Sequence, residues 1–228
     1  MKKLVLLACA LSAGGAQANL LVNGSFEQGS GVYAGGAPVY DNLAGGSTVI
    51  AGWTTVGAGV EWFRPANFSV GPARDGFSVI DLADFTSTGS PRDGVEQTVA
   101  TVAGERYRID FSGVTSQSNG RTGTGTIELW LNDSLFSTHA LTNYKSFWSM
   151  DDWQDFSVQF VADGPTTKIG FLSSQNALAH YANVDAFSVV ADPLSAVPEP
   201  ATWLMWLAGF GLVGSIARRR LDAAHPLR

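Results

Sequence analysis

Short runs in which apolar and polar residues alternate fill the chain between residues 19 and 192. Tyr107, Ile109 and Phe111, for example, share one face of such a run. A period of two residues is typical of β-strands with one buried face. Turn signals such as Asn132-Asp133 separate the runs, and no amphipathic segment is long enough to predict a helix. We therefore predict strands over 20–22, 50–53, 60–63, 77–82, 94–101, 107–111, 126–131, 135–138, 153–161, 166–173 and 182–190.

Many short strands without helices predict an all-β fold, either a β-sandwich or a jelly roll. The segment 29–48 is rich in Gly, Ala and Ser and is predicted to be a long surface loop. No repeat at the period of a solenoid or propeller is present. Residues 19–192 have the usual size of one domain.

The first 18 residues have the pattern of a signal peptide. Lys2 and Lys3 precede a short apolar segment, and Ala16-Gln17-Ala18 is a small-x-small cleavage site, which predicts cleavage between Ala18 and Asn19. The alternative is lipid attachment at Cys9, which lies in a loose lipobox. Cys9 is the only cysteine of the chain. A chain that begins at Asn19 therefore contains no disulfide and no thiol.

The C-terminal segment has three parts in a fixed order. A linker over 193–200 ends in Pro-Glu-Pro, and its prolines interrupt any strand or helix. The apolar run 201–217 carries no charge and has about the 17 residues that a minimal transmembrane helix needs. Three arginines then open a basic tail over 218–228, which is predicted to stay in the cytoplasm.

This C-terminal segment resembles the PEP-CTERM sorting signal of Gram-negative bacteria. The residues that carry the resemblance are Val197, Pro198, Glu199, Pro200, Arg218, Arg219 and Arg220. The resemblance implies export through the inner membrane, recognition by an exosortase-type processing enzyme, and delivery to the cell surface or extracellular matrix. The eight residues that follow Arg220 depart from the usual signal. The alternative is a simple C-terminal membrane anchor.

Charge narrows the choice of partners. The whole chain has a net charge of −6. Residues 19–197 contain eight basic and 18 acidic residues, a net charge of −10. An acidic domain is a poor ligand for nucleic acid or for anionic lipid, so we expect neither as a partner.

Residues 19–190 resemble the galactose-binding-like jelly rolls, in particular the choice-of-anchor C and DUF642-type domains of exported proteins. The segments that carry the resemblance are 19–27 (NLLVNGSFE), 50–53 (IAGW), 75–82 (DGFSVIDL), 94–99 (GVEQTV), 104–107 (GERY) and 183–185 (NVD). The resemblance implies a jelly roll that several families of carbohydrate-binding modules share. It also implies a structural calcium ion held by Glu27 and Asp185. The alternative is that Glu27 caps a turn and Asp185 pairs with an arginine or with solvent.

A carbohydrate site would need exposed aromatic rings beside polar groups. The candidates are Trp62, Tyr144 and Trp148, with Phe63, Arg64, Phe147 and Asp151 nearby in sequence. Trp148 is expected to be exposed because polar residues flank it. The alternative is that these rings fill the core, which is the usual place of aromatic residues in a sandwich.

Catalytic patterns are weak. The acidic groups around Asp81 and around Asp151 have no spacing that assures a pair of catalytic carboxylates. His139 and His180 lack a metal-ligand pattern, and no GxSxG motif is present. We therefore expect no enzyme. The sequence predicts an exported module that binds exopolysaccharide or, alternatively, a structural or self-associating matrix protein without a small ligand.

Overall fold

The computed structural model describes residues 18–30, 40–82, 92–117, 120, 124–142, 145–173, 181–192, 206 and 209–210. The chain forms two compact units, residues 1–192 and 193–228. The signal peptide up to residue 17 and nearly all of the segment 201–217 lie outside the described residues. Within the described part of the chain, no helix has the length and apolarity needed to cross a bilayer.

The first unit is a sandwich of two antiparallel sheets, so the predicted all-β jelly roll is confirmed. The six-stranded sheet has the order β1-β3-β4-β11-β6-β9, and the five-stranded sheet has the order β2-β5-β10-β7-β8. The strands are β1 (Tyr40–Ala44), β2 (Thr54–Val56), β3 (Gly59–Phe63), β4 (Val79–Asp81), β5 (Asp93–Ala100), β6 (Arg106–Ser116), β7 (Gly125–Leu131), β8 (Ser134–Leu141), β9 (Gln154–Val161), β10 (Thr166–Ser173) and β11 (Tyr181–Ala191). Short 3-10 helices span Pro65–Phe68 and Met150–Asp152.

The main core lies between the two sheets. Alternate residues of each strand face inward, as the sequence predicts for Tyr107, Ile109 and Phe111, which are all buried. Phe171 of β10 and Phe187 of β11 stack at a centroid distance of 3.9 Å and join the two sheets. Each large apolar side chain that is fully buried here stabilises the fold by about 1.5–3 kcal/mol.

A second, smaller apolar cluster lies on the outer face of the six-stranded sheet. Its buried members are Phe63, Val79, Val114, Trp148 and Trp153. The loops 64–78 and 145–153 supply its cover, because the indole N–H groups of both tryptophans donate to the carbonyl of Pro72, at 2.8 and 3.1 Å. Loops therefore cover much of this face.

Two predicted strands are wrong. Residues 20–22 form bends rather than a strand, and residues 50–53 form a turn in which only Ile50 makes a bridge, to Gly29. Strand β1 instead lies within the segment predicted as a loop, where it pairs with β3. These polar, glycine-rich segments are fixed by partners far along the chain, which a local pattern does not reveal.

Candidate functional site

The predicted processing sites lie at the ends of the chain. Val197 to Pro200 and Arg218 to Arg220 fall outside the described residues. Ala18 and Asn19 are exposed. The Asn19 side chain accepts the Val189 N–H at 2.8 Å and donates to the Phe187 carbonyl at 3.2 Å. A chain that begins at Asn19 would keep this connection to β11.

The two predicted calcium ligands contact the same loop. Oε1 of Glu27 accepts the backbone N–H groups of Phe77 and Ser78, at 2.8 and 2.7 Å. Oδ2 of Asp185 accepts those of Arg74 and Asp75, both at 2.9 Å. The structure therefore brings the two carboxylates to one loop, 74–78, although they are far apart in sequence.

Backbone N–H groups surround the oxygens of these two carboxylates. Backbone N–H groups point at Oε1 of Glu27 and Oδ2 of Asp185, and Oδ1 of Asp185 accepts the Ala186 N–H at 2.6 Å. Oxygens of both carboxylates therefore already accept backbone N–H groups, and the calcium ion stays a prediction. Burial raises the pKa of Asp185 to about 7, and the three amides oppose that rise. Glu27 and Asp185 act here as anchors for the loop.

Neither tryptophan of the predicted carbohydrate site forms a surface platform. Trp62 and Trp148 are only 1% and 5% exposed, so the expectation that Trp148 is exposed is wrong. The physical reason is that both indole N–H groups reach backbone carbonyls inside the domain, of Phe26 and Pro72 respectively. Tyr144 lies outside the described residues, whereas Phe147 is 62% exposed.

A different tryptophan lies on the outer face of the five-stranded sheet. Trp130 of β7 is half-buried, and its indole N–H donates to Oε2 of Glu128 at 2.9 Å. The Nε of Arg92 bonds the same oxygen at 2.5 Å, and the Arg92 guanidinium lies 5.1 Å from the centre of the ring. Two polar contacts therefore fix the orientation of this ring.

A shallow depression adjoins the Trp130 ring. Its lining consists of Glu96, Trp130, Asp133, Lys168, Gly170 and Leu172. Gly170 lies directly opposite Trp130 in the sheet, so no side chain rises at that position. Nζ of Lys168 bonds Asp133 and lies 3.5 Å from Glu96. The depression thus has an apolar floor and a rim of charged groups that can accept and donate hydrogen bonds.

The alternation of residues 126–131 in the sequence already indicates that Trp130 lies on the outer face. Residues 126–131 alternate, with Ile127 and Leu129 on the core side and Glu128 and Trp130 on the other side. A tryptophan on the solvent side of a strand is a better candidate for exposure than one in a loop that packs against the sheet.

Two family models match the chain. The one described as "Protein of unknown function (DUF642)" matches residues 19–188. The one described as "PEP-CTERM protein-sorting motif" matches residues 196–220. Both resemblances predicted from the sequence are confirmed.

Solved structures with a similar fold include modules with sugar ligands in their descriptions. TmCBM61, solved in complex with beta-1,4-galactotriose, is 15% identical with a TM-score of 0.43, and the match covers 77% of this chain and 99% of that one. The CBM22-1 xylan-binding domain of Paenibacillus barcinonensis Xyn10C is 14% identical with a TM-score of 0.44, and the match covers 80% and 100%. At these values the similarities do not identify a ligand for this chain. No curated protein matches the sequence.

Proposed function

The chain belongs to the DUF642 family, and we propose that its sandwich is an exported carbohydrate-binding module. We propose further that an exosortase-type enzyme reads the PEP-CTERM motif and directs the module to the cell envelope or the exopolysaccharide matrix of a Gram-negative bacterium. The confirmed sorting motif supports the second proposal. Neither proposal involves a catalytic residue.

The observation that supports carbohydrate binding is the position of Trp130. Pyranose rings have an apolar face that packs on an aromatic ring, while their hydroxyl groups need polar partners at the edge. Trp130 and Leu172 supply the apolar surface, and Glu96, Asp133 and Lys168 supply the partners. Because the depression is shallow and lies on a sheet face, it suits one or two residues of a polymer better than a free monosaccharide.

The charges around Trp130 favour a neutral polysaccharide. The two basic side chains at the site, Arg92 and Lys168, are both paired with carboxylates. The domain as a whole has a net charge of −10 over residues 19–197, so an anionic polymer would be repelled.

The test is to measure binding of the full-length chain, purified in a mild detergent, to insoluble and soluble polysaccharides. The panel contains neutral β-linked glucans, galactans and xylans, with polygalacturonate as the anionic comparison. We expect binding to at least one neutral polymer. Trp130→Ala should weaken it at least tenfold, or about 1.4 kcal/mol, because the apolar surface is lost.

Phe147→Ala is the matched control. It removes another exposed aromatic ring, on the loop between β8 and β9, and should leave binding unchanged. Equal binding by the wild type and by Trp130→Ala would show that the depression beside Trp130 is not the binding site. The absence of binding to any polymer would contradict the proposed function.

One observation favours the alternative of a self-associating matrix protein. Strand β8 is at the edge of the five-stranded sheet, contains no charged residue and no proline, and exposes Leu135 and Phe136. Charged residues and proline on an edge strand prevent it from pairing with another chain, and β8 has neither. If the protein self-associates, sedimentation velocity on the same preparation would show a mass that rises with protein concentration.

A further inference from the structure

The Arg92 guanidinium covers one face of the Trp130 ring, at 5.1 Å from the ring centre. Arg92 directly precedes Asp93, which lies opposite Ser173 of β10, so it reaches the ring from the Ser173 end of that strand. Arg92 and the indole N–H bond the same oxygen of Glu128, which holds this arrangement. A sugar that stacks on Trp130 would therefore take the opposite face of the ring.

Lys168 lies on the side of the ring away from Arg92. Gly170 is opposite Trp130 in the sheet, and Lys168 is two residues before Gly170 on the same strand. With a rise of about 3.3 Å per residue, same-face neighbours along a strand are about 6.6 Å apart. That spacing equals about 3.5–4 Å for carbon atoms in contact plus about 2.9 Å for a hydrogen bond. One pyranose ring therefore fits between the open face of Trp130 and Lys168.

Three charged groups converge on the rim of that space. Nζ of Lys168 bonds Asp133 and lies 3.5 Å from Glu96. An ammonium group has three N–H donors, so one of them is left for a sugar hydroxyl, and each carboxylate can accept further hydroxyl groups. Hydrogen bonding to Asp133 raises the pKa of Lys168, so the ammonium stays charged. The rim can thus bind several hydroxyl groups of one sugar residue.

We propose that this site binds the terminal sugar residue of a neutral polysaccharide, and that Lys168, Asp133 and Glu96 select it. The inference rests on the proposed carbohydrate-binding function. A residue in the middle of a 1,4-linked chain has free ring hydroxyl groups only at C2 and C3, whereas the non-reducing terminal residue has one at C4 as well. Three adjacent hydroxyl groups match the three charged groups of the rim. The space between Trp130 and Lys168 has no room for a second stacked ring.

The test compares β-1,4-linked gluco-, galacto- and xylo-oligosaccharides of two to six residues. Calorimetric titration measures their affinity for the full-length chain in detergent. We expect one series to bind with the same Kd at every length and with one oligosaccharide per protein chain, because only the terminal residue enters the site. Lys168→Met should weaken this binding at least tenfold. Lys145→Met is the matched control, since it removes a lysine that pairs with Asp152 on the loop between β8 and β9, and it should bind as the wild type does.

The outcomes distinguish this inference from the function on which it rests. If the wild-type chain binds neither an oligosaccharide nor a polymer, both are wrong. If Trp130→Ala loses binding but the affinity of the wild type rises steadily with oligosaccharide length, only the terminal-residue inference is overturned. It is also overturned if Lys168→Met binds as tightly as the wild type, or if the wild type binds a polymer but none of the oligosaccharides.

Discussion

His139 lies where β8 meets the six-stranded sheet across the sandwich. Its ring is 5.1 Å from that of Phe111 and 4.9 Å from that of Phe156, centre to centre. Its Nε2 is 2.8 Å from Oγ of Ser137. This half-buried position lowers the pKa of His139 below its ordinary value of 6.5, because burial disfavours the charged imidazolium.

The lowered pKa of His139 predicts a loss of stability in mild acid. The folded state favours the neutral ring. The contribution of this ring to the free energy of unfolding is therefore complete above the unfolded pKa of about 6.5. That contribution is lost as the pH falls through the lower folded pKa. We expect the decrease in Tm from pH 7.5 to pH 5 to be smaller in His139→Gln than in the wild type. His225→Gln, in the C-terminal tail, is the control, and equal slopes for all three chains would contradict the prediction.

The aromatic residues show what can and cannot be predicted for single side chains. Trp62 and Trp148 bond carbonyls that are 36 and 76 residues away in the chain, so flanking polar residues gave no guide to their burial. The position of Trp130 on the outer face could have been predicted from the alternation of its own strand. The burial of Asn183 could not, because it depends on three strands from different parts of the sequence.

The loop 64–78 packs closely against Trp148 at Gly71. A Cβ atom at Gly71 would overlap the indole ring of Trp148, which is buried and cannot move aside. We predict that Gly71→Ala lowers the free energy of unfolding by about 1–3 kcal/mol, as overpacking does. It should also increase hydrogen exchange within the loop.

Gly164→Ala is the matched control for this loop. The nearest atom to its added Cβ is the carbonyl oxygen of Thr166 at 3.7 Å, an ordinary contact. Its free energy of unfolding should be unchanged or slightly higher. Equal stability of the two variants, with unchanged exchange in loop 64–78, would show that the loop is not fixed in this way.

The strands themselves were predicted to different degrees. Strand β10 has the predicted bounds, and β5 and β7 differ by one residue at one or both ends. Strand β5, for example, alternates between buried and more exposed residues from Val95 to Ala100. Strands β1 and β2 were missed because each is short and gains its hydrogen bonds from a distant strand, β3 or β5. Periodicity therefore predicts long half-buried strands, while short strands depend on tertiary pairing.

At the scale of the whole molecule, the two outer faces of the sandwich differ. Two tryptophans and the loops that carry them pack on the outer face of the six-stranded sheet. The five-stranded sheet carries the half-buried Trp130 and its charged neighbours. The proposed polysaccharide site therefore belongs to the five-stranded sheet.

The position of the sorting motif predicts what remains after processing. All 11 described strands lie within residues 40–191, between the proposed signal-peptide cleavage point and the motif at 196–220. We expect the protein from its native host to begin at Asn19, to end near Pro198, and to unfold in a single cooperative transition. Mass spectrometry of the native product, with calorimetry of a 19–192 fragment, checks both expectations.

Glu199→Ala is the variant that separates sorting from simple anchoring. It alters the Pro-Glu-Pro sequence while leaving the apolar run and the arginines in place, so a sorted protein should now retain its C-terminal segment. A wild-type product that already contains Leu204 to Arg228 would contradict exosortase processing. The sandwich would then act from a membrane anchor, and its reach to a polysaccharide would be limited to the length of the 193–200 linker.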